Sequence, residues 1–178
     1  TSNTVNIIEN TATPTVTLTG AVDNDEITCL VTNYTLGYTV SSGTVTGQTW
    51  SDSSTGATLT ASSADAYDVT VTMDNGCTAT SNTINIIENT TTPTVTLTGA
   101  VDNDEITCLV TNYTLGYTVS SGTVTGQTWS DSSTGATLTA SSADAYDVTV
   151  TMDNGCTATS NTINIVENIT TPTVTLTG

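Results

Sequence analysis

Four cysteines, Cys29, Cys77, Cys108 and Cys156, are the side chains of this 178-residue sequence best suited to covalent chemistry. None belongs to a Cys-x-x-Cys pair and the chain has no histidine, so zinc has no plausible ligand set. Oxidation to disulfides is the chemistry that remains. Carboxylates are the second reactive group. Asp23, Asp25 and Glu26 lie within four residues of one another, and Asp102, Asp104 and Glu105 repeat the arrangement. Ca²⁺ takes several oxygen ligands, so these clusters are candidate calcium sites, with Asp65 and Asp68 as further ligands if their loop lies at the same end. They lack the twelve-residue EF-hand pattern, and the competing reading is a solvated acidic turn.

What is missing excludes more than what is present. Lys, Arg and His are absent, and 17 Asp and Glu give a net charge of −17. Nucleic acid and anionic membrane surfaces are excluded as partners, because both are bound through basic groups. A Ser triad has no base. Paired carboxylates serve glycosidases, but small, nearly identical tandem domains without a cleft are no setting for that reaction. The sequence names no catalytic residue and is not read as an enzyme. Asn33-Tyr34-Thr35, Asn89-Thr90-Thr91 and Asn168-Ile169-Thr170 fit the N-glycosylation triplet, a short pattern that mostly arises by chance.

The reactive residues recur because the whole chain recurs. Pro14, Pro93 and Pro172 stand 79 residues apart, as do the cysteines at 29 and 108 and at 77 and 156. Residues 14–92 and 93–171 differ at two positions, Ile87 against Val166 and Thr90 against Ile169. A unit of this length is a small domain, so the array reads as beads on a string. Residues 1–13 correspond to the end of a preceding repeat and 172–178 to the start of a following one, and the chain is expected to be an excerpt of a longer mature protein. No run is apolar enough to span a bilayer as a helix.

Within a unit, apolar residues alternate with Thr, which fills 21 of the 79 positions. The alternating runs are 16–18, 27–31, 34–40, 45–50, 57–61, 67–73 and 84–86, separated by turn residues. About seven short strands with no helical period predict an all-β chain of Ig-like β-sandwiches. Asp74-Asn75-Gly76 predicts a type I′ hairpin. Such a thin core wants a staple. Pairing Cys29 with Cys77 and Cys108 with Cys156 gives one disulfide per domain and places both partners on inward positions. Closing that 48-residue separation is worth about 4 kcal/mol in the chain-entropy model. The alternative, Cys77 with Cys108, bridges neighbours and leaves Cys29 and Cys156 for units beyond. Trp50 is expected in the core over the disulfide, rather than exposed as a platform for sugars. Without Lys, a Lys–Asn isopeptide staple is chemically impossible.

Residues 50–81, WSDSSTGATLTASSADAYDVTVTMDNGCTATS, resemble a repeat of secreted surface proteins in gliding and biofilm-forming Bacteroidota. That repeat reads as an early Cys, then Y-x-W-S-x-G, then G-x-Y-x-V-x-V-T-x-x-N-G-C-x-A-T; the gliding-motility adhesin SprB carries it. The likeness runs from 27 to 81, with Ala66 where Gly is usual and Gln48-Thr49-Trp50 in place of Y-x-W. The resemblance implies Ig-like modules in arrays, export by the type IX pathway, and a place at the bacterial cell surface in attachment or gliding.

Three functions follow as expectations: a structural repeat in the stalk of an extracellular adhesin, a repeat that self-assembles into a filament or sheath, and a multivalent, weakly binding carbohydrate- or calcium-dependent module. The partners are neighbouring repeats, identical chains, or an external surface or polysaccharide. In one form of the second, the strand at 83–87 pairs with the next unit, and residues 4–8 complete the first by strand donation. The joint at 88–93 has no Gly, and its proline fixes φ and extends the preceding residue. Small-angle scattering is therefore expected to show an extended rod, and a collapsed globular particle would refute the stiff joint.

Overall fold

The computed structural model describes residues 3–177, and among them every regular element is a strand, nine in each repeat. Two compact units part between Thr90 and Thr91. The first contains β1 (Val16–Thr19), β2 (Asp25–Thr28), β3 (Tyr34–Val40), β4 (Val45–Trp50), β5 (Leu59–Ala61), β6 (Asp65–Tyr67), β7 (Val69–Met73), β8 (Thr78–Thr80) and β9 (Ile84–Asn89). The second repeats these nine strands 79 residues on, from Val95–Thr98 to Ile163–Asn168.

One layer is the antiparallel sheet β1-β3-β5. The other is built from two ladders, β4-β7-β8 and β2-β9-β6. They belong to one layer because β6 and β7 are successive parts of one strand, as are β8 and β9. The expected seven strands become nine at these two breaks. Side chains fill the gaps: Ser81 Oγ accepts from the Val69 N–H at 3.1 Å, and the Ser81 N–H donates to the Val69 carbonyl at 3.0 Å. Asn82 Oδ1 accepts from the Leu18 N–H at 3.0 Å, tying this layer to the first strand of the other. The order β4, β7/β6, β8/β9, β2 facing β1-β3-β5 is an immunoglobulin-like sandwich.

The chain changes layers early. After β1 comes Gly20, at φ 99°, where a Cβ would run into the carbonyl oxygen of Thr35. Only glycine fits that approach. The chain then pairs β2 in parallel with β9, the one parallel ladder in the unit.

The alternating apolar positions meet between the layers. Leu36, Ala61, Val69 and Val71 are fully buried and Trp50 is 2 % exposed. Trp50 stacks edge-on against Tyr38 at 6.0 Å and donates its indole N–H to the Gly56 carbonyl at 2.8 Å. It therefore lies in the core as expected, but over its own loop and not over a disulfide. Tyr67 donates its hydroxyl to the Ser63 carbonyl four residues upstream at 3.0 Å, the tyrosine corner of such sandwiches.

Two local expectations fail for identifiable reasons. The run at 27–31 alternates like a strand, yet β2 stops at Thr28. The Thr28 Oγ1 accepts from the Leu30 and Val31 N–H groups and bends the chain away, leaving Cys29 exposed. The turn after Met73 is not type I′. Within it only Gly76 has positive φ, at 82°; the Gly76 N–H donates to the Met73 carbonyl, and the Met73 N–H donates to the Cys77 carbonyl. This is a three-residue loop, a type I turn closed by a glycine bulge. The last strand belongs to its own unit, since β9 pairs with β2 and β6. Residues 4–8 form no strand, so no strand donation completes the first unit.

The core prediction is direct. Leu36→Ala, or the equivalent Leu115→Ala, empties a fully buried site and is expected to destabilise its unit by about 2–5 kcal/mol in chemical denaturation.

Candidate functional site

The chemistry-bearing residues gather at the two ends of each unit, which we term the leading pole, where the chain enters β1, and the trailing pole, where β9 ends. Thr28, the last residue of β2, stands opposite Asn89, the last residue of β9. Cys29 follows it and lies at the trailing pole. Cys77 closes the turn between β7 and β8 at the other end. There the Asn75 side-chain amide donates to the carbonyls of Asn10 and Ala12, both at 3.2 Å, on the segment entering the unit. In the second unit Thr107 stands opposite Asn168 and Asn154 donates to the Thr91 carbonyl at 3.1 Å, so Cys108 is trailing and Cys156 leading.

This placement overturns the expected cysteine pairing. From 78 to 89 the chain takes 89 − 78 = 11 steps between the poles. At about 3.3 Å per residue a straight strand of that length spans roughly 36 Å, whereas disulfide-bonded Cα atoms lie about 4.4–6.8 Å apart. Cys29–Cys77 and Cys108–Cys156 therefore do not form. Cys77 and Cys108 are free thiols, which also removes the alternative pairing of those two, while Cys29 and Cys156 are disulfide-bonded. Alternation shows which face a residue takes and not which pole it occupies. The units accordingly stand on core and sheet without a staple closing either one.

The acidic cluster lies along the layer crossing, and its carboxylates already have donors. Asp23 Oδ1 accepts from both the backbone N–H and the side-chain amide of Asn85, at 2.9 and 2.8 Å. Asp25 accepts from the Val22 N–H at 2.8 Å, and Glu26 accepts from the Asn89 amide at 3.1 Å. Asp102, Asp104 and Glu105 do the same with Asn164, Val101 and Asn168. Asp25 and Asp65 stand opposite Ile86 from either side, one strand apart from each other; two inter-strand spacings separate them by roughly 10 Å. Among the described residues no three His, Cys, Asp or Glu side chains converge as a metal site would require. Asp68 falls in the break between β6 and β7, and its carbonyl accepts from the Ser51 N–H. The arrangement fastens β2 to β9.

Asparagine is the residue whose role sequence reading missed. Asn85 takes the polar place in an alternating strand, Asn75 sits in the 74–76 turn and Asn82 follows β8, so each reads locally as an ordinary polar position and nothing marks its distant partner. A cleft of about 220 Å³ at the leading pole of the first unit is lined by Asn10, Ala12, Gly43, Met73 and Asn75. It is smaller than the 300–1,000 Å³ typical of small-molecule sites.

No family model and no curated protein matches the chain. Among solved structures it is similar to the fibronectin(III)-like modules of Clostridium thermocellum CbhA, with TM-score 0.40, 15% identity, and 86% and 94% of the two chains covered. It is similar to the D00-D0 domain of intimin at TM-score 0.33, 15% identity, and 85% and 99% coverage. The BSP domain of a biofilm associated protein follows at TM-score 0.25 and 17% identity, with 88% of this chain and 30% of that one covered. These are remote likenesses, and the sandwich stands on its strand pairing.

The Asn85 hydrogen bonds, the backbone N–H before the side-chain amide, hold the Asp23 carboxyl below the ordinary aspartate value, and Asn164 does the same for Asp102. A carboxylate with a depressed folded pKa stabilises the fold above its unfolded pKa, and that contribution disappears as pH falls through the folded value. Carboxyl-carbon NMR titration is expected to show both groups protonating below the ordinary aspartate range, with Asn85→Ala shifting Asp23 part of the way back. An ordinary Asp23 midpoint in the wild-type protein would overturn the latch.

Proposed function

We propose that the chain is a non-catalytic structural repeat of an extracellular bacterial surface adhesin or filament, acting in attachment or gliding. The observation that carries this reading is how the specific polar groups are used. The side chains of Asp23, Glu26, Trp50, Asn85 and Asn89, the natural candidates for recognition, are hydrogen-bonded within their own unit, and the second unit repeats the same bonds. A module that spends its polar side chains on its own geometry suits a mechanical role better than a recognition role.

Further support comes from composition. A chain without Lys or Arg offers no tryptic site, which suits a protein exposed to proteases. Disulfide-bonded cysteines fit an oxidising exterior. Against a sugar-binding module stands the burial of Trp50 and Trp129, each 2 % exposed. Divalent cations act on such a repeat through its charge, eight acidic residues per unit, and not through a coordination cage.

The reading is tested with antibodies raised against the repeat. Surface labelling of intact cells, lost on treatment with a broad-specificity protease, is the expected outcome. Labelling only after lysis would sink it. Calcium provides a second check: at fixed ionic strength a chelator is expected to leave the melting temperature unchanged, and a large drop would establish a dedicated calcium site.

A further inference from the structure

The two free thiols are of the same two kinds as the two bonded cysteines. By repeat register Cys108 is the counterpart of Cys29 and Cys77 the counterpart of Cys156. The bonded residues are thus one trailing-pole cysteine and one leading-pole cysteine, and so are the free ones. Both kinds form disulfides in this protein, and the dimensions of a unit forbid a bond between its own two poles. Cys77 and Cys108 are the free counterparts of these two bonded residues, one at each kind of pole.

We propose that Cys108 and Cys77 are the open halves of a head-to-tail disulfide junction, in which the trailing-pole cysteine of one repeat bonds the leading-pole cysteine of another repeat beyond it. The surroundings of the two thiols suit this. Cys108 is exposed and is followed by Leu109, 96% exposed, and Val110, 41% exposed, an apolar pair at the trailing pole. Cys77 is half-buried, and its N–H is fixed by Asn75 Oδ1 at 3.0 Å, the same turn whose amide holds the entering segment. The leading-pole thiol is therefore set in a rigid loop, and the trailing-pole thiol sits on an exposed apolar turn.

The chemistry balances simply. Two thiols lose two protons and two electrons and form one S–S bond, while a disulfide oxidant takes them up and is released as two thiols. The chain has no Lys, so no isopeptide bond can take over this part. In an array joined this way, a backbone cut between repeats leaves them covalently connected. The inference stands on repeat geometry and holds whatever the parent protein attaches to.

The test uses the 178-residue protein with its native disulfide intact, oxidised at high concentration with glutathione disulfide and resolved on non-reducing gels. The expected result is a ladder of covalent dimers, trimers and longer chains that collapses to monomer on reduction. Cys77→Ser and Cys108→Ser variants each stop the ladder at the dimer or below. Mixed together, they give a heterodimer joined through the remaining Cys108 and Cys77, several-fold in excess of either homodimer. Homodimers in equal yield would show undirected thiol oxidation and overturn the junction. Monomer alone, with both thiols unreacted or capped by glutathione, would overturn it as well.

Discussion

The change of layer made by the first strand governs the rest of each unit. Because the chain crosses at Gly20 from the β1-β3-β5 sheet to pair β2 with β9, the segment from 16 to 28 runs the full length of the sandwich and delivers Cys29 to the far pole. The parallel ladder has a second consequence. It lays β2 along the last strand, so an early segment and the final segment of the unit are held in one sheet. The Asp23–Asn85 and Glu26–Asn89 hydrogen bonds sit along this seam, so the acidic cluster clasps the two strands together.

The seam also explains how so thin a core suffices. Few large side chains are buried, and Thr covers the outer faces. Hydrogen bonds from Ser81, Asn82 and Asn75 take over wherever a ladder breaks or a segment enters. Each bond contributes about 0.5–1.5 kcal/mol net, so their value is geometric. They fix the kinks in β6/β7 and β8/β9 and hold the turn that carries Cys77. With no positive side chain in the molecule, no carboxylate can find an ion pair, and neutral amides are the donors left to neutralise its lone pairs. Asparagine occupies these positions for that reason.

Much of this was legible in the sequence. The alternation of Val, Leu and Ile with Thr locates the strands because a half-buried sheet demands a period of two. Trp50, Tyr67 and the glycine of the 74–76 turn have roles their types announce. What could not be read follows one pattern: alternation assigns faces, not ends. Cys29 and Cys77 fall on plausible inward positions, and nothing local shows that Thr28 turns the chain out of the strand or that the two residues sit at opposite poles. The partners of the Asp23 cluster are hidden for a similar reason, since its donors, Asn85 and Asn89, lie 62 and 63 residues further on. Local pattern carries no information about such partners.

Near-identity of the units acquires a physical meaning from this geometry. A contact between unlike ends of identical units is heterologous, and heterologous contacts that do not close on themselves extend without limit. If both cysteines of a unit lay at one pole, a covalent link would close after two units and end. With the two cysteines at opposite poles, each unit carries one at either end, and every repeat offers the same pair. Repeats can then be gained or lost without creating an unmatched junction, except at the two ends of the array. A sequence that writes the same 79 residues twice with two changes keeps that matching intact. Divergence in the core would alter one unit alone, whereas divergence at a pole would break a joint between two.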